Sequence, residues 1–364
     1  MKRVGNLYNK MLNKKLITAV ILNGSIGKKK RQDVKTVLED VDGYTDKIYA
    51  LLEYETYTPT PPKIKVIHDT SSGKEREINI VPYFPDGIIH QLAAEVMKPV
   101  LMRGMYAHSC ASIPKRGNMH AIKYMKKHLH NDHKGTKYCA KMDIHHYYQS
   151  ISVDLLMAKL ERKIKDRKFL SLVRTIIESN PKEGLSIGFY INQWLANFFL
   201  EDTDHFICTL DGVNYYIRNM DDLVLMGANK KKLHIAVRAI AEHLEADGLR
   251  LKDNWQVFKV DSRGIDFVGY RFFHEYVLLR RRNFLKLARQ CRKVKKRIDK
   301  RQPVPFRTAA GLLSRIGQLN HCNGTRIRQK HFDSICQKIT KKLKDVVREY
   351  GRNQNHITSM VISI

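Results

Sequence analysis

The spacing of apolar residues divides the chain into strand-like and helix-like stretches. Around residues 213–226, two β-rich apolar runs flank a short polar centre, which predicts a strand, a tight turn and a second strand. A short apolar stretch from residue 138 predicts another strand that ends at Asp143. Residues 63–68, 71–80 and 248–258 predict a strand, a hairpin with a second strand, and a return to strand. Helical spacing predicts helices over 34–54, 86–97, 118–130, 153–165, 167–179, 230–246, 280–301, 307–319 and 332–349.

The net charge of the chain indicates what kind of partner it binds. The 364 residues include 66 Lys and Arg against 36 Asp and Glu, a formal net charge of +30. An excess of this size indicates a polyanionic partner, either a nucleic acid or an acidic membrane surface. We find no run of 18 apolar residues and no signal peptide, so we expect a cytoplasmic protein that does not span a membrane. The 6 cysteines form no Cys-x-x-Cys pair, and we expect neither zinc nor disulfides.

Positive charge is densest between residues 280 and 301, where 12 of 22 residues are Lys or Arg and one is acidic. Apolar residues recur between them at helical spacing, at Phe284, Leu287, Cys291, Val294 and Ile298. We predict a basic amphipathic helix that follows a nucleic-acid backbone. A solvated helix face is the alternative interpretation.

Three carboxylates are the candidate chemistry. Asp143 ends one predicted strand, and Asp221 and Asp222 lie at the predicted turn. If these segments are neighbours in one sheet, the three side chains converge on one edge, where their mutual repulsion requires counter-charge. Two Mg²⁺ ions about 3.5–4 Å apart can activate an attacking oxygen and stabilise a leaving one in phosphoryl transfer. The simpler alternatives are a helix cap for Asp143 and ordinary turn residues for the pair.

Four motifs in this order resemble the palm of a reverse transcriptase: Asp143, Gly188, Met220-Asp221-Asp222, and Phe-Val-Gly-Tyr at 267–270. The resemblance extends from about residue 74 to about residue 282. Asn219 stands where the family usually has Tyr, a departure that leaves the carboxylates intact. The resemblance implies an α+β right-hand polymerase fold with fingers, a palm of antiparallel sheet with helices, and a helical thumb. The implied domains are a basic helical extension (1–55), fingers with part of the palm (56–137), palm (138–275), basic helical thumb (276–350) and tail (351–364).

The same resemblance implies roles for individual residues. Asp143, Asp221 and Asp222 would be catalytic, and together with Ile144 they would bind the metal ions. Tyr148 would act as a steric gate that selects deoxynucleotides. The implied nucleotide-binding residues are Lys74, Arg76, Tyr148, Ile187, Gly188 and Gln193, and the implied primer grip is Phe267, Val268, Gly269 and Tyr270. The implied nucleic-acid-binding residues are Arg280, Arg281, Arg282, Lys286, Arg289, Lys293 and Lys296. Lys252 and Lys259 are both candidates for the general acid that protonates pyrophosphate.

One group within the family is most similar. Most reverse transcriptases have Gln-Gly where this chain has Ile187-Gly188, and Gln193 closes the motif. This pattern resembles the reverse transcriptases of diversity-generating retroelements, in which the missing Gln is linked to error-prone copying of template adenines. Asn192 departs from the Ser usual in that group.

The resemblance implies a cofactor and partners. We expect two Mg²⁺ ions, with Mn²⁺ as a substitute, deoxynucleoside triphosphates, a dedicated template RNA and its cDNA/RNA duplex, and a small basic accessory protein that is oligomeric. The source would be bacterial or phage-encoded. Two alternatives stay open: an antiphage-defence or abortive-infection reverse transcriptase with a non-coding RNA template, and a non-catalytic RNA-binding scaffold.

Overall fold

The computed structural model describes residues 2–69, 74–333, 335, 337, 361 and 362, and mixes helices with short sheets as the α+β prediction requires. The chain divides into two compact units, which comprise Met1–Ala121 with Ala140–Val257, and Ile122–Cys139 with Phe258–Ile364, as far as the residues are described. Within the described part of the chain, no helix is long and apolar enough to cross a membrane.

Four helices form the N-terminal region of the first unit. The stretch predicted as one helix over 34–54 is divided at Asp40, because the Asp40 carboxylate accepts a hydrogen bond from the Gly43 amide at 2.9 Å and starts a new helix. The apolar faces of these helices are buried, with Leu7, Ile17 and Ile48 fully so. The helices are α1 (Leu7–Met11), α2 (Lys14–Gly24), α3 (Gln32–Glu39) and α4 (Val41–Glu53).

A two-stranded ribbon and two helices follow. The ribbon is antiparallel, and its register pairs Ile67 with Arg76. The predicted turn at 71–73 lies outside the described residues, and so does the side chain of Lys74. The helix predicted at 86–97 begins at Ile88, after a π-type turn over Tyr83–Gly87. The elements are β1 (Lys63–Asp69), β2 (Lys74–Ile80), α5 (Ile88–Met102) and α6 (Asn118–Asn131).

The middle of the chain carries the sheet on which the carboxylates lie. In this sheet Tyr215–Asn219 lies beside Asp222–Gly227, which is followed by Tyr138–Asp143 and then by Gln256–Lys259, so the strand that ends at Asp143 lies beside the second strand of the predicted hairpin. The stretch 248–258 is strand only at its end, and a helix that the apolar pattern did not predict precedes β4. The elements are β3 (Tyr138–Asp143), α7 (Tyr147–Ser150), α8 (Val153–Glu161), α9 (Arg167–Glu178), α10 (Asn192–Phe199), α11 (Glu201–Thr209), β4 (Tyr215–Asn219), β5 (Asp222–Gly227), α12 (Lys230–Ala246) and β6 (Gln256–Lys259).

The second unit contains a small meander and the basic helix. The predicted helix at 280–301 is confirmed, and its apolar side packs against α15 around Leu287, Val294 and Leu312. Most of the predicted helix 332–349 and of the tail 351–364 lies outside the described residues, although Val361–Ile362 pairs with Val304–Pro305. The elements are α13 (Val260–Arg263), β7 (Ile265–Phe267), β8 (Tyr270–Phe272), β9 (Val277–Leu279), α14 (Arg281–Asp299), β10 (Val304–Pro305), α15 (Phe306–Gly317), α16 (Thr325–His331) and β11 (Val361–Ile362).

Candidate active site

The hairpin of β4 and β5 has a two-residue turn, Met220 and Asp221. Asn219 at the end of β4 pairs with Asp222, which is therefore the first residue of β5 rather than part of the turn. Met220 has a φ of 61°, in the left-handed region that costs a non-glycine residue roughly 1–2 kcal/mol. The turn therefore needs support from the residues beneath it.

Arg218 supplies that support from inside the protein. Its side chain is fully buried, and its Nη1 donates a hydrogen bond to the Met220 carbonyl oxygen at 2.9 Å. Its Nε and Nη2 donate to the two carboxylate oxygens of Asp204 at 2.7 and 2.6 Å. The Tyr216 hydroxyl donates to the same carboxylate at 2.7 Å. The turn that carries Asp221 is thus attached to a buried, bidentate ion pair, which sequence patterns did not predict.

Asp143 and the hairpin turn lie next to each other. The Ile144 amide, directly after β3, donates to the Asp221 carbonyl oxygen at 3.1 Å. Lys141 and Asp143 are two residues apart on β3 and share one face of the sheet. On that face, Lys141 Nζ lies 3.4 Å from Asp222 Oδ2. The backbone positions of the three predicted carboxylates are therefore neighbours, as the sequence suggested.

Lys252 completes this edge of the sheet. Its amide donates to the Asp143 carbonyl oxygen at 2.8 Å, and its ammonium group forms an ion pair with the Asp143 carboxylate. A β-bridge between Ile144 and Leu251 holds the two segments together. Of the two lysines named as candidate general acids, Lys252 is the one beside the carboxylates, whereas Lys259 lies on β6 with an exposed side chain.

A cavity of about 870 Å³ opens beside the turn and brings together three of the six predicted nucleotide-binding residues. Its lining includes Arg76, Tyr148, Ile187, Asp221 and Lys252. Of the other three, Gly188 and the exposed Gln193 on α10 are not among the lining residues, and the side chain of Lys74 is not described. His145 and His146 also line the cavity, although no sequence motif singled them out.

Gly188 lets the Ile187 loop lie directly against strand β2. The Asn79 amide of β2 donates to the Ile187 carbonyl oxygen at 2.8 Å. A Cβ atom on Gly188 would lie 2.1 Å from the Asn79 carbonyl oxygen, and the φ of Gly188 is +123°. Only glycine allows this close approach of the loop to the ribbon. The Ile-Gly pair therefore serves local packing as well as its predicted place at the nucleotide.

Burial governs the ionisation of the groups in the cavity. It raises the pKa of the Asp221 carboxyl, although the Asp221 amide and the Arg76 and Arg218 guanidinium groups act in the opposite direction. Burial also raises the pKa of the Tyr148 hydroxyl, with the charge of Asp221 acting in the same direction. Tyr148 therefore stays neutral, and its hydroxyl lies 3.8 Å from Met220 Sδ.

The predicted primer grip and thumb surface belong to the second unit. Phe267 and Tyr270 are buried at the ends of β7 and β8, and Val268 and Gly269 form the turn between them with φ of 41° and 91°. Arg280 donates its amide to the Gly269 carbonyl oxygen at 3.0 Å and forms an ion pair with Asp266, so the hairpin is attached to the start of α14. The side chains along α14 are exposed at Arg281, Arg282, Arg289, Lys293 and Lys296 and half-buried at Lys286.

The cavity thus brings together the Asp221 carboxylate, the cations of Arg76 and Lys252 and an aromatic ring, groups that suit phosphoryl or nucleotidyl transfer. The ribbon also contributes Glu75 and Glu77 to its lining. Residues 70–272 match the family model described as reverse transcriptase (RNA-dependent DNA polymerase). This match covers more than half of the chain, and the chain belongs to the reverse transcriptase family. The matched domain is an RNA-directed DNA polymerase domain, a nucleotidyltransferase with the right-hand polymerase fold predicted from the motifs.

The individual proteins that are similar to this chain share only low sequence identity with it. Protein YkfC of Escherichia coli (strain K12) is 26% identical over 263 residues, which cover 60% of this chain and 68% of the relative. An uncharacterized 91 kDa protein in a cob intron of Schizosaccharomyces pombe is 27% identical over 171 residues, 44% of this chain and 20% of the relative. An apo telomerase structure from Candida tropicalis aligns with a TM-score of 0.45 and 14% identity over 65% of this chain. The chain spans about half of that telomerase, 52%.

The family depends in general on divalent metal ions, and the donor atoms present here fit that need. The Asp143 and Asp221 carboxylates and the Ile144 carbonyl are oxygen donors, the type that Mg²⁺ prefers. Burial raises the pKa of the Asp221 carboxyl, and a cation bound beside it would favour the charged form. Among the described residues, no three His, Cys, Asp or Glu side chains cluster closely enough to hold a metal ion. Instead, Lys252 and Lys141 hold Asp143 and Asp222.

Proposed function

We propose that this protein extends a 3′-hydroxyl with deoxynucleotides on an RNA template. The observation that carries the proposal is the common cavity: Asp221 at the turn, Arg76 on the ribbon and Tyr148 after β3 line one space of about 870 Å³. Its size suits a nucleoside triphosphate.

Three of the lining residues have a proposed chemical role in this reaction. Arg76 neutralises the triphosphate, because the leaving pyrophosphate accumulates negative charge. The Tyr148 ring lies under the sugar and excludes a 2′-hydroxyl. Lys252 donates a proton to the leaving pyrophosphate. Lys74 is proposed to contribute a second positive charge to the neutralisation of the triphosphate.

Asp143, Asp221 and Asp222, with the Ile144 carbonyl, are the residues that would hold two Mg²⁺ ions. When bound, these ions supply Lewis-acid activation of the attacking oxygen and stabilisation of the leaving one. The chain's part is to present the carboxylates at a rigid sheet edge. Mn²⁺ has the same preference for oxygen ligands and is the proposed substitute.

Replacement of Asp221 by Asn tests the reaction. Primer extension on an RNA template should fall below detection in Asp221→Asn, because the amide keeps the shape but loses the charge. The melting temperature should not decrease, since burial already disfavours that charge. Asp211→Asn, an exposed carboxylate change, is the matched control and should extend normally. Extension at the normal rate by Asp221→Asn would overturn the proposal.

We further propose the diversity-generating type of reverse transcriptase. Two features support this proposal. Ile187 lines the cavity at the position where the resemblance to reverse transcriptases leads us to expect Gln, and the motif around Gln193 is similar to that of the diversity-generating group. An aliphatic side chain cannot donate or accept hydrogen bonds at the nascent base pair. Copying would therefore tolerate mispairs, above all opposite template adenines.

Ile187→Gln tests this subtype through fidelity. We expect misincorporation opposite adenine to fall several-fold relative to the unmodified enzyme, with errors opposite the other bases little changed. Ile187→Leu serves as the control because it keeps an aliphatic side chain, and its error rate should stay high. Equal adenine error rates in all three proteins would exclude this assignment.

The partners are proposed at the same level. A dedicated template RNA, its cDNA/RNA duplex, deoxynucleoside triphosphates and a small basic oligomeric accessory protein fit the diversity-generating assignment. Sequencing the RNA that co-purifies with the protein tests this set. A structured RNA that resembles a neighbouring coding repeat supports the retroelement role, whereas a non-coding RNA without such a repeat supports an antiphage-defence role.

A further inference from the structure

A second cleft, separate in composition from the catalytic cavity, lies within the second unit. It has a volume of about 360 Å³ and is formed by the end of α6, the loop between β8 and β9, and Asn323. None of the residues assigned to nucleotide transfer lines it. Its walls nevertheless combine charge with an exposed aromatic ring.

The α6 wall is cationic. Lys126, Lys127 and His130 line the cleft, and all three are exposed. Lys123 lies one turn earlier on the same face of the helix, since residues three and four apart are neighbours on a helix surface. This wall therefore presents the charges that bind phosphate groups.

The opposite wall is aromatic. Tyr276 is 43% exposed, and its ring stacks on Phe273 with centroids 4.4 Å apart and an interplanar angle of 23°. The Phe273 amide donates to the Tyr276 carbonyl oxygen at 2.9 Å, which closes the loop between them. The stacked pair holds the Tyr276 ring in place at low cost in side-chain entropy.

A buried histidine fixes the loop to the turn that follows α6. His274 Nδ1 lies 2.8 Å from Asp261 Oδ2, and His274 Nε2 lies 2.9 Å from Thr136 Oγ1. The Thr136 hydroxyl also donates to the Asp132 carbonyl oxygen at 2.5 Å, so these contacts connect His274 to the turn after α6. The network joins both walls of the cleft.

Asn323 fixes the remaining side. Its amide donates to the Val277 carbonyl oxygen at 2.7 Å, and its side-chain oxygen accepts from the Val277 amide at 2.8 Å. The acid in the lining, Glu275, lies 3.3 Å from His133 Nε2 and so has a basic partner of its own. The cleft is therefore a preformed site with cationic character.

We propose that this cleft binds one nucleotide of a single-stranded nucleic acid, with its phosphate on Lys126 and Lys127 and its base against Tyr276. A pocket of this volume accommodates a single nucleotide. A base in a duplex is already stacked on both faces, so an aromatic platform selects single strands. The inference depends on the proposed function only because template RNA or cDNA would supply the strand.

Photocrosslinking tests the site in the full-length protein. The catalytic site is first saturated with an unlabelled, blunt primer–template hybrid, and a labelled single-stranded oligonucleotide containing 5-iodouridine is then added and irradiated. We expect crosslinks within residues 273–277, centred on Tyr276. The same sequence as DNA with 5-iododeoxyuridine distinguishes a template RNA from a cDNA source, and crosslinking of either supports the site.

Matched variants test the contribution of each wall. Tyr276→Ala should weaken single-strand binding about tenfold. Lys126→Glu with Lys127→Glu should reduce the slope of log K against log salt by about 1.4, the value for two phosphate contacts to a single strand. The controls are Tyr54→Ala, which removes another exposed tyrosine, and Lys230→Glu with Lys231→Glu, which makes the same change in charge.

Extension of a minimal hybrid should be unchanged in every variant, so loss of extension would indicate a failure elsewhere and not in this cleft. Crosslinks outside 273–277, or single-strand affinity equal to that of the controls, would overturn the proposal. A polyglutamate peptide that displaces the oligonucleotide equally from Tyr276→Ala and the unmodified protein would also overturn it, in favour of an acidic protein partner.

Discussion

Lys252 has two possible roles in the proposed reaction, as a proton donor to pyrophosphate or as a counter-charge for Asp143. The ammonium group of Lys252 is paired with Asp143 and also lines the cavity proposed for the nucleotide. If it donates the proton to pyrophosphate, Lys252→Ala should reduce kcat about 100-fold with little change in the KM for nucleotide. Single-nucleotide extension at saturating primer–template measures both constants.

Lys259→Ala is the control for this experiment, since sequence alone did not distinguish the two lysines. It should retain kcat within about twofold. If Lys252 serves only to neutralise Asp143, its removal would instead alter the concentration of Mg²⁺ needed for activity and leave kcat at saturating Mg²⁺ unchanged. That outcome would contradict the general-acid assignment.

The buried side chain of His90 should make the stability of the protein depend on pH. His90 in α5 is 1% exposed, and neither ring nitrogen has a hydrogen-bond partner in the described part of the chain. Burial lowers its pKa from 6.5 to about 4. The unfolded state therefore takes up a proton first, so the stability from neutral His90 is complete above pH 6.5 and is lost as the pH falls towards 4.

His90→Leu should remove this acid sensitivity. Between pH 6.5 and 4 we expect the free energy of unfolding of the unmodified protein to fall by up to about 3 kcal/mol more than that of His90→Leu. Urea unfolding at a series of pH values measures the difference. His68→Leu, which changes an exposed histidine, should keep the original slope. Parallel curves for all three proteins would show that His90 is not buried as described.

At the scale of elements, the β4–β5 hairpin depends on the helices beneath it. Arg218 links the Met220 carbonyl to Asp204 on α11, so a helix that the apolar pattern did not predict holds the turn that carries Asp221. Removing one member of a buried ion pair costs about 3–5 kcal/mol, whereas replacing both by apolar residues can be neutral. Single and double mutations can therefore separate the contribution of the ion pair to stability from its support of the Met220 carbonyl.

Arg218→Met alone should destabilise the protein strongly. The double variant Arg218→Met with Asp204→Leu should recover part of the melting temperature, since the Tyr216 hydroxyl still loses its acceptor. It should not recover the activity, because nothing then holds the Met220 carbonyl. We expect the kcat of the double variant to remain at least tenfold below that of the unmodified protein, with the affinity for primer–template unchanged. Recovery of both stability and kcat in the double variant would show that the pair serves folding only.

Local patterns explain how much of this arrangement could be predicted. The β4–β5 hairpin, the ribbon at 63–80 and the basic helix at 280–301 depend on residue spacing within one segment, and the structure confirms them. The pairing of Lys252 with Asp143 joins positions 109 residues apart, and that of Arg218 with Asp204 joins two elements. Such contacts are set by tertiary packing, which spacing within a segment does not contain.

At the scale of the whole molecule, charge is the dominant property. The net charge of +30 far exceeds what the catalytic cavity needs for one triphosphate. In the second unit, the exposed face of α14 carries Arg289, Lys293 and Lys296, while its other face is buried against α15. A helix anchored in this way presents its cations on a fixed surface, which is the arrangement expected for binding a duplex backbone.

The salt dependence of duplex binding tests whether that surface is used. Reversing two charges on α14, Arg289→Glu with Lys293→Glu, should reduce the slope of log K against log salt by about 1–2, because each phosphate contact contributes about 0.9 in B-DNA. Lys230→Glu with Lys231→Glu on α12 changes the net charge equally and should leave the slope nearly unaltered, since only contacts that release counterions contribute to it. Fluorescence anisotropy of an RNA–DNA hybrid between 50 and 200 mM salt, roughly the range in which such contacts dominate affinity, measures both slopes. If the two variants lose slope equally, then the charge acts through the overall field of the protein, and α14 has no special place on the duplex.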